Sequence, residues 1–296
     1  MKQIKNSPIE NRVLKPHMVC KDYTVSQDSF TLLIDKESGL LVTSPRPEDK
    51  DLAAYYESDM YISHTDANKS IIDKLYQLVK NYSLKQKLKR INSFPKPEKK
   101  LLDIGAGTGD FLSICEANKW NVVGVEPSVK ARTIAKQKLQ NNTSKIYTTI
   151  EELLSKSETF DVITMWHVLE HVPNLNAYIT FLKRLLKPNG TLVIAVPNHK
   201  SYDAEYYKEF WAAYDVPRHL WHFSKRSISN LFQQEEMTVV KILPMKFDAY
   251  YVSLLSEKYK TGSSNYLKAF YIGLRSNSKA SRSKEYSSLT YILKKV

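Results

Sequence analysis

The stretch Lys99-Lys100-Leu101-Leu102-Asp103-Ile104-Gly105-Ala106-Gly107-Thr108-Gly109-Asp110 reads as strand, turn and helix start. Leu101, Leu102 and Ile104 make a short apolar run suited to a buried strand, and Phe111, Leu112, Ile114 and Cys115 resume at helical spacing. Glycines between them let the chain turn sharply and leave backbone N–H groups at a helix start open to a ligand. A dinucleotide-binding turn reads G-x-G-x-x-G and seats a pyrophosphate. This one reads G-x-G-x-G, with Asp103 two residues ahead, and a carboxylate there suits a cationic ligand better than a diphosphate. A second acid, Glu126, ends the apolar run 121–125, followed by Pro127. At a strand tip such an acid accepts two hydrogen bonds from a ribose diol.

Outward from there, strand and helix signals alternate, which predicts an α/β chain with a parallel sheet covered on both faces. Strands are expected at 145–150, 160–166 and 191–196, with a final pair at 237–243 and 287–293. Ser128 and Ser224 read as helix N-caps. The helical face Leu175, Tyr178, Ile179, Leu182, Leu185 and Leu186 is expected to stop at Asn189-Gly190. Upstream, Ile71, Ile72, Leu75, Leu78, Val79 and Tyr82 predict an amphipathic helix, and seven basic residues in 85–100 read as its solvated end. Residues 30–34 and 40–43 around Lys36-Glu37-Ser38-Gly39 predict a β-hairpin.

The chain has 296 residues, enough for one large domain with additions, and a formal net charge of +13. That charge reads as solvated surface before nucleic-acid binding. Two cysteines far apart build neither a disulfide framework nor a thiolate metal cluster, so a reducing compartment is expected. No apolar run approaches a membrane span, and a cytoplasmic chain with no membrane partner is the expectation.

Asp103, the three glycines and Glu126 resemble motif I and the following acid of class I S-adenosylmethionine-dependent methyltransferases, in particular the methyltransferase-23 and ubiquinone-methyltransferase-like group. The resemblance continues through 159–174 and 186–198 and covers at least 101–224. It implies a Rossmann-like, doubly wound, seven-stranded sheet of order 3-2-1-4-5-7-6, with its last pair antiparallel. It also implies a methyltransferase domain at 71–296 with a substrate loop at about 198–224, which is rich in Tyr, Trp and His. S-adenosylmethionine is the implied cofactor, held by Asp103, Gly105, Ala106, Gly107, Gly109, Glu126, Pro127, Ile150, Glu151, Trp166 and His167. Residues 1–70 are read as an extension carrying the hairpin and a lid over the site, from which Tyr61 and His64 line it. The extension is similar to a zinc-ribbon leader that has lost its metal, Ser38 standing where a cysteine belongs and Cys20 left alone.

Methyl transfer from a sulfonium is an in-line displacement, so the protein supplies positioning and, for a hydroxyl or acidic carbon, a base. His219, Arg218 and His167 are the catalytic candidates, with His219 as base and Arg218 as a fork for an anionic acceptor. His167, Glu170 and His171 fall on one helical turn and are similar to a Glu-x-x-Glu-His of quinone O-methyltransferases that has been linked to a metal. The chain has His167 in place of the first acid, and no metal is expected. A small-molecule acceptor methylated on oxygen or carbon is favoured, the alternatives being RNA and a non-catalytic cofactor-binding protein.

Overall fold

A computed structural model describes residues 1–48, 51–56, 71–94, 98–141, 144–263 and 265–296. Three strands open the chain, β1 (Lys15–Lys21), β2 (Ser29–Ile34) and β3 (Leu41–Ser44), and β2 and β3 are the expected hairpin. A long helix, α1 (Ile71–Asn92), leads into β4 (Lys100–Ile104), α2 (Asp110–Ala117), β5 (Asn121–Val125) and α3 (Val129–Lys138). Then come β6 (Lys145–Tyr147), the single turn α4 (Glu151–Leu154), β7 (Phe160–Trp166), α5 (Leu175–Leu185) and β8 (Leu186–Pro197). The chain continues through α6 (Tyr202–Tyr207), β9 (Trp221–His222), α7 (Lys225–Gln233) and β10 (Met237–Met245). It closes with α8 (Asp248–Thr261), α9 (Tyr266–Ser283) and β11 (Ser288–Lys295).

Seven strands form the main sheet in the order β10-β11-β8-β7-β4-β5-β6. Counted within the sheet from its β6 edge this is 3-2-1-4-5-7-6, as expected. The five strands from β6 to β8 are parallel, and β11 runs antiparallel to both neighbours. Because β4 and β7 are buried on both faces, they read as continuous apolar runs rather than alternating ones. Ser128 and Ser224 cap α3 and α7, the latter with Ser227 returning the bond as a capping box.

Two boundaries differ from expectation. The third strand stops at Tyr147, and α5 stops at Leu185, with Leu186 already extended and paired opposite Phe160. Four residues of β8 then pass before Thr191 faces Val162, against one on β7, so the segment around Asn189-Gly190 is a bulge rather than a helix stop. Gly190 is required there because a Cβ would lie 2.5 Å from Leu186 Cγ.

A second sheet, β1-β2-β3-β9, was not anticipated as a unit. In it β9, from the expected substrate loop, pairs antiparallel with β3, Val42 opposite Trp221 and Leu41 opposite His222. The amino-terminal segment and the loop are therefore one structure. In the described leader the Asp35 carboxylate organises the hairpin turn, accepting from the hydroxyls of Ser38 at 2.7 Å and Ser7 at 3.0 Å. Cys20 is buried, which pushes its thiol up to about 12.

Candidate functional site

The glycine turn is stitched to the neighbouring strand. Gly105 and Ala106 donate their N–H groups to the Val125 carbonyl at 2.8 and 3.0 Å. Glu126, at the tip of β5, accepts from Gly107 N–H and Ser128 N–H, both at 2.8 Å, so its carboxylate is fixed beside the turn. Pro127 is exposed and its carbonyl accepts from Arg132 at 2.9 Å. Asp103, at the end of β4, is 2% exposed. Burial pushes its carboxyl up to about 7, although the Thr164 hydroxyl at 2.6 Å and the nearby Lys87 ammonium favour the charged form. Past β6, Ile150 is buried in the core and Glu151 is exposed at the start of α4. Tyr61 and His64 lie outside the described residues.

Trp166, at the end of β7, meets Phe111 edge-on at 5.7 Å, and the Lys87 ammonium sits 4.4 Å over its ring. Lys87 was read as solvated. It instead faces inward from α1 among Leu84, Leu88 and Ile91, and burial lowers its pKa against the pull of Asp103 and Asp248. The signal was its register: positions 84, 87, 88 and 91 follow the i, i+3, i+4, i+7 spacing of one helical face.

His167 has φ of 57°, which turns its ring between two carboxylates. Nε2 lies 3.2 Å from Asp248 Oδ2 and Nδ1 lies 3.5 Å from Glu170 Oε1. Burial alone would lower its pKa, but these two acids outweigh it and hold it at about 10. Both nitrogens therefore carry protons near neutrality, and His167 holds charge in place rather than accepting a proton. Its expected place among the catalytic candidates changes accordingly.

Glu170, His171 and His219 converge instead, with ligating atoms within 4.8 Å of one another. Glu170 is 1% exposed, and apart from His167 at 3.5 Å its carboxylate oxygens have no hydrogen-bond partner among the described residues. His171 Nδ1 lies 3.1 Å from the Arg218 carbonyl and 2.9 Å from the Tyr56 hydroxyl; His219 Nδ1 lies 2.9 Å from the Ala213 carbonyl. Carbonyls only accept, so this network puts a proton on each Nδ1 and makes Nε2 the nitrogen that accepts when the ring is neutral; His219 Nε2 lies 3.9 Å from Asp215 Oδ2. Burial pushes His171 down to about 4. Its ring meets that of His219 edge-on at 4.6 Å.

Arg218 is not a free fork. It is 3% exposed, grips both Asp215 oxygens, lies 3.4 Å from buried Asp22, and donates to the Tyr55 carbonyl at 3.2 Å. Sequence alone offered Arg218 to a substrate; the fold uses it to bind the loop to the amino-terminal segment.

A family model described as a methyltransferase domain matches residues 76–242, and the chain belongs to that family. The ubiquinone biosynthesis O-methyltransferase of Pelagibacter ubique is 34% identical over 168 residues, covering 50% of this chain and 69% of that protein. Its counterpart from Glaesserella parasuis is 38% identical over 109 residues, 34% of this chain and 46% of that one. The chain thus spans about half the length of the first curated relatives it matches. Among solved structures, magnesium protoporphyrin IX methyltransferase from Synechocystis, with bound SAH, shares the fold at a TM-score of 0.56 and 13% identity, over 84% of this chain and 100% of that one.

Proposed function

We propose that the protein transfers a methyl group from S-adenosylmethionine to a small-molecule acceptor, on oxygen or carbon. The observation that carries this reading is Glu126: a carboxylate at the tip of β5, fixed by Gly107 N–H and Ser128 N–H beside an open glycine turn, suits a ribose diol. The cofactor when bound supplies an electrophilic methyl on a sulfonium. Glu126 and the Gly105–Gly109 turn hold its adenosyl part, and Trp166 offers an aromatic face toward its methionyl part. His219 is the proposed base, because its ring stands on a loop tied to the turn after β7 through Leu220 N–H and the Glu170 carbonyl at 2.8 Å, with Nδ1 occupied by the Ala213 carbonyl and Nε2 left to accept. An anionic acceptor is not retained, since Arg218 is spent on Asp215 and Asp22.

Calorimetry is expected to show binding of S-adenosylmethionine and S-adenosylhomocysteine but not NAD. Glu126→Ala is expected to weaken it by about 1.5 to 3 kcal/mol, the scale of a hydrogen bond to a charged group; unchanged affinity removes the ribose assignment. With an acceptor in hand, His219→Ala is expected to lower kcat by about 10² to 10⁴ with cofactor affinity intact. Incubation of labelled cofactor with a lysate, sorted into small-molecule, RNA and protein products, separates the favoured acceptor class from RNA. A chain that binds cofactor and labels nothing is the non-catalytic alternative.

One observation favours a second reading: the buried Glu170 carboxylate, with ring nitrogens of His171 and His219 within 4.8 Å of it and of one another, has the donor set of a divalent-ion site. In that reading His219 is a ligand rather than a base. Elemental analysis of the purified chain decides, one equivalent of a divalent ion supporting the ligand role and none supporting the base.

A further inference from the structure

The pair α8 and α9 lies between the last two strands, beyond the residues the family model matches. On α9 the positions Ala269, Ile272, Gly273, Ser276 and Ala280 are buried. The backbones approach closely there, since a Cβ on Gly273 would come within 3.0 Å of Tyr250 Cα. At 100° per residue, Leu267, Phe270, Tyr271 and Leu274 project from a sector about 100° wide on the opposite side. They are 85%, 60%, 54% and 49% exposed, and Tyr266 beside them is 56% exposed. Contiguous apolar surface of this kind marks an interaction face.

The same helix is basic. Residues 265–284 carry Lys268, Arg275, Lys279, Arg282 and Lys284 and no acid. Lys268 is paired with Glu257 of α8, while Arg275 and Lys279 lie over the Tyr202 ring at 5.6 and 4.0 Å. Leucine and phenylalanine flanked by tyrosine and by cations is the composition of helices that lie in the headgroup layer of an anionic bilayer. The leucines distinguish this face from one built for RNA, which uses aromatic stacking and cations. The patch also leads toward the candidate site. Phe270 stacks on Tyr250 of α8 at 5.3 Å, Phe247 just before α8 is 43% exposed and packs on Tyr82, and Asp248 touches His167.

We propose that the outer face of α9 docks the protein on the surface of an anionic lipid bilayer. No helix among the described residues is long and apolar enough to cross a membrane, so the contact is peripheral. The proposal departs from the expectation of no membrane partner. The docking stands independently of the methyl-transfer reading; if both hold, an amphiphilic acceptor is the class that a site beside the bilayer suits.

The full chain is expected to cosediment with vesicles of phosphatidylcholine and phosphatidylglycerol, but not of phosphatidylcholine alone, and to be released as salt rises. Leu267→Glu with Leu274→Glu is expected to lower the bound fraction about tenfold or more, since it puts charge where the acyl boundary would be. Arg275→Glu with Arg282→Glu is expected to weaken binding and flatten its salt dependence. Melting curves matching the unsubstituted chain show that these surface changes leave the fold intact. The proposal is overturned if the leucine variant binds mixed vesicles as well as the original does. A dimer in light scattering that the leucine variant separates assigns the face to a second copy and overturns it too. So does retention of RNA that the arginine variant loses and the leucine variant keeps, without vesicle binding.

Discussion

Gly107 differs from the glycines on either side of it in what a side chain would meet. A Cβ on Gly105 would lie 2.4 Å from Val168 Cγ2, and one on Gly109 would lie 2.8 Å from Ala135 Cβ and 2.9 Å from its Cα. At Gly107 nothing lies within 4 Å, so the space beyond it is open. The outer two glycines serve packing and the middle one serves approach. Gly109→Val is therefore expected to lower the melting temperature markedly, because backbone of α3 cannot give way. Gly107→Val, at φ of +54°, is expected to cost about 1 to 3 kcal/mol of stability while abolishing S-adenosylmethionine binding. Melts and calorimetry on the two variants test this; cofactor bound normally by folded Gly107→Val would place the cofactor elsewhere. The spacing of the three glycines was legible in sequence, but their division of labour was not, because it depends on Val168 and Ala135, distant in the chain.

At the scale of elements, the loop from β8 to α7 is held by the sheet it shares with β3 rather than by the site it faces. Thr43 donates its N–H to the Leu220 carbonyl at 3.1 Å and its hydroxyl to the His219 carbonyl at 2.7 Å. Arg218 joins Asp215 on the loop to Asp22 in the turn after β1. Removing one partner of such a buried pair leaves the other charged and unpaired, so Arg218→Ala is expected to cost about 3 to 5 kcal/mol in denaturant unfolding. Arg218→Lys keeps charge but loses the two-pronged grip, and is expected to lower stability with KM for the acceptor unchanged. A raised KM at unchanged stability would return Arg218 to substrate binding. The parallel strands were legible because long apolar runs between turn signals leave few alternatives. β9 was not: two residues, Trp221 and His222, carry no periodicity, and their pairing with β3 is set by tertiary contact alone. The partners of Arg218 were not legible for the same reason, since Asp22 lies 196 residues away.

Across the whole molecule, the two sheets meet along a seam lined by buried neutral histidines. His199 Nε2 donates to the Gly39 carbonyl at 2.8 Å. His222 Nε2 lies 3.0 Å from Thr43 Oγ1, whose own proton goes to the His219 carbonyl, so the imidazole is the donor. Burial pushes His199 down to about 4, helped by Lys200 and His17, and holds His222 well below the usual histidine range. A histidine whose folded pKa is depressed binds its proton more readily in the unfolded chain. Its contribution is complete above about pH 6.5 and is lost as pH falls toward 4, with a slope of at most about 1.4 kcal/mol per pH unit for each group. The denaturant midpoint is therefore expected to drop between pH 6.5 and 4, before most surface carboxylates titrate. The amino-terminal sheet should loosen from the main one in that window, which amide exchange of β2 and β3 relative to β4 and β7 would report. Replacing His199 and His222 by Gln keeps a donor without a titrating ring and is expected to flatten the slope. An unchanged slope in that double variant would move the acid sensitivity away from the seam.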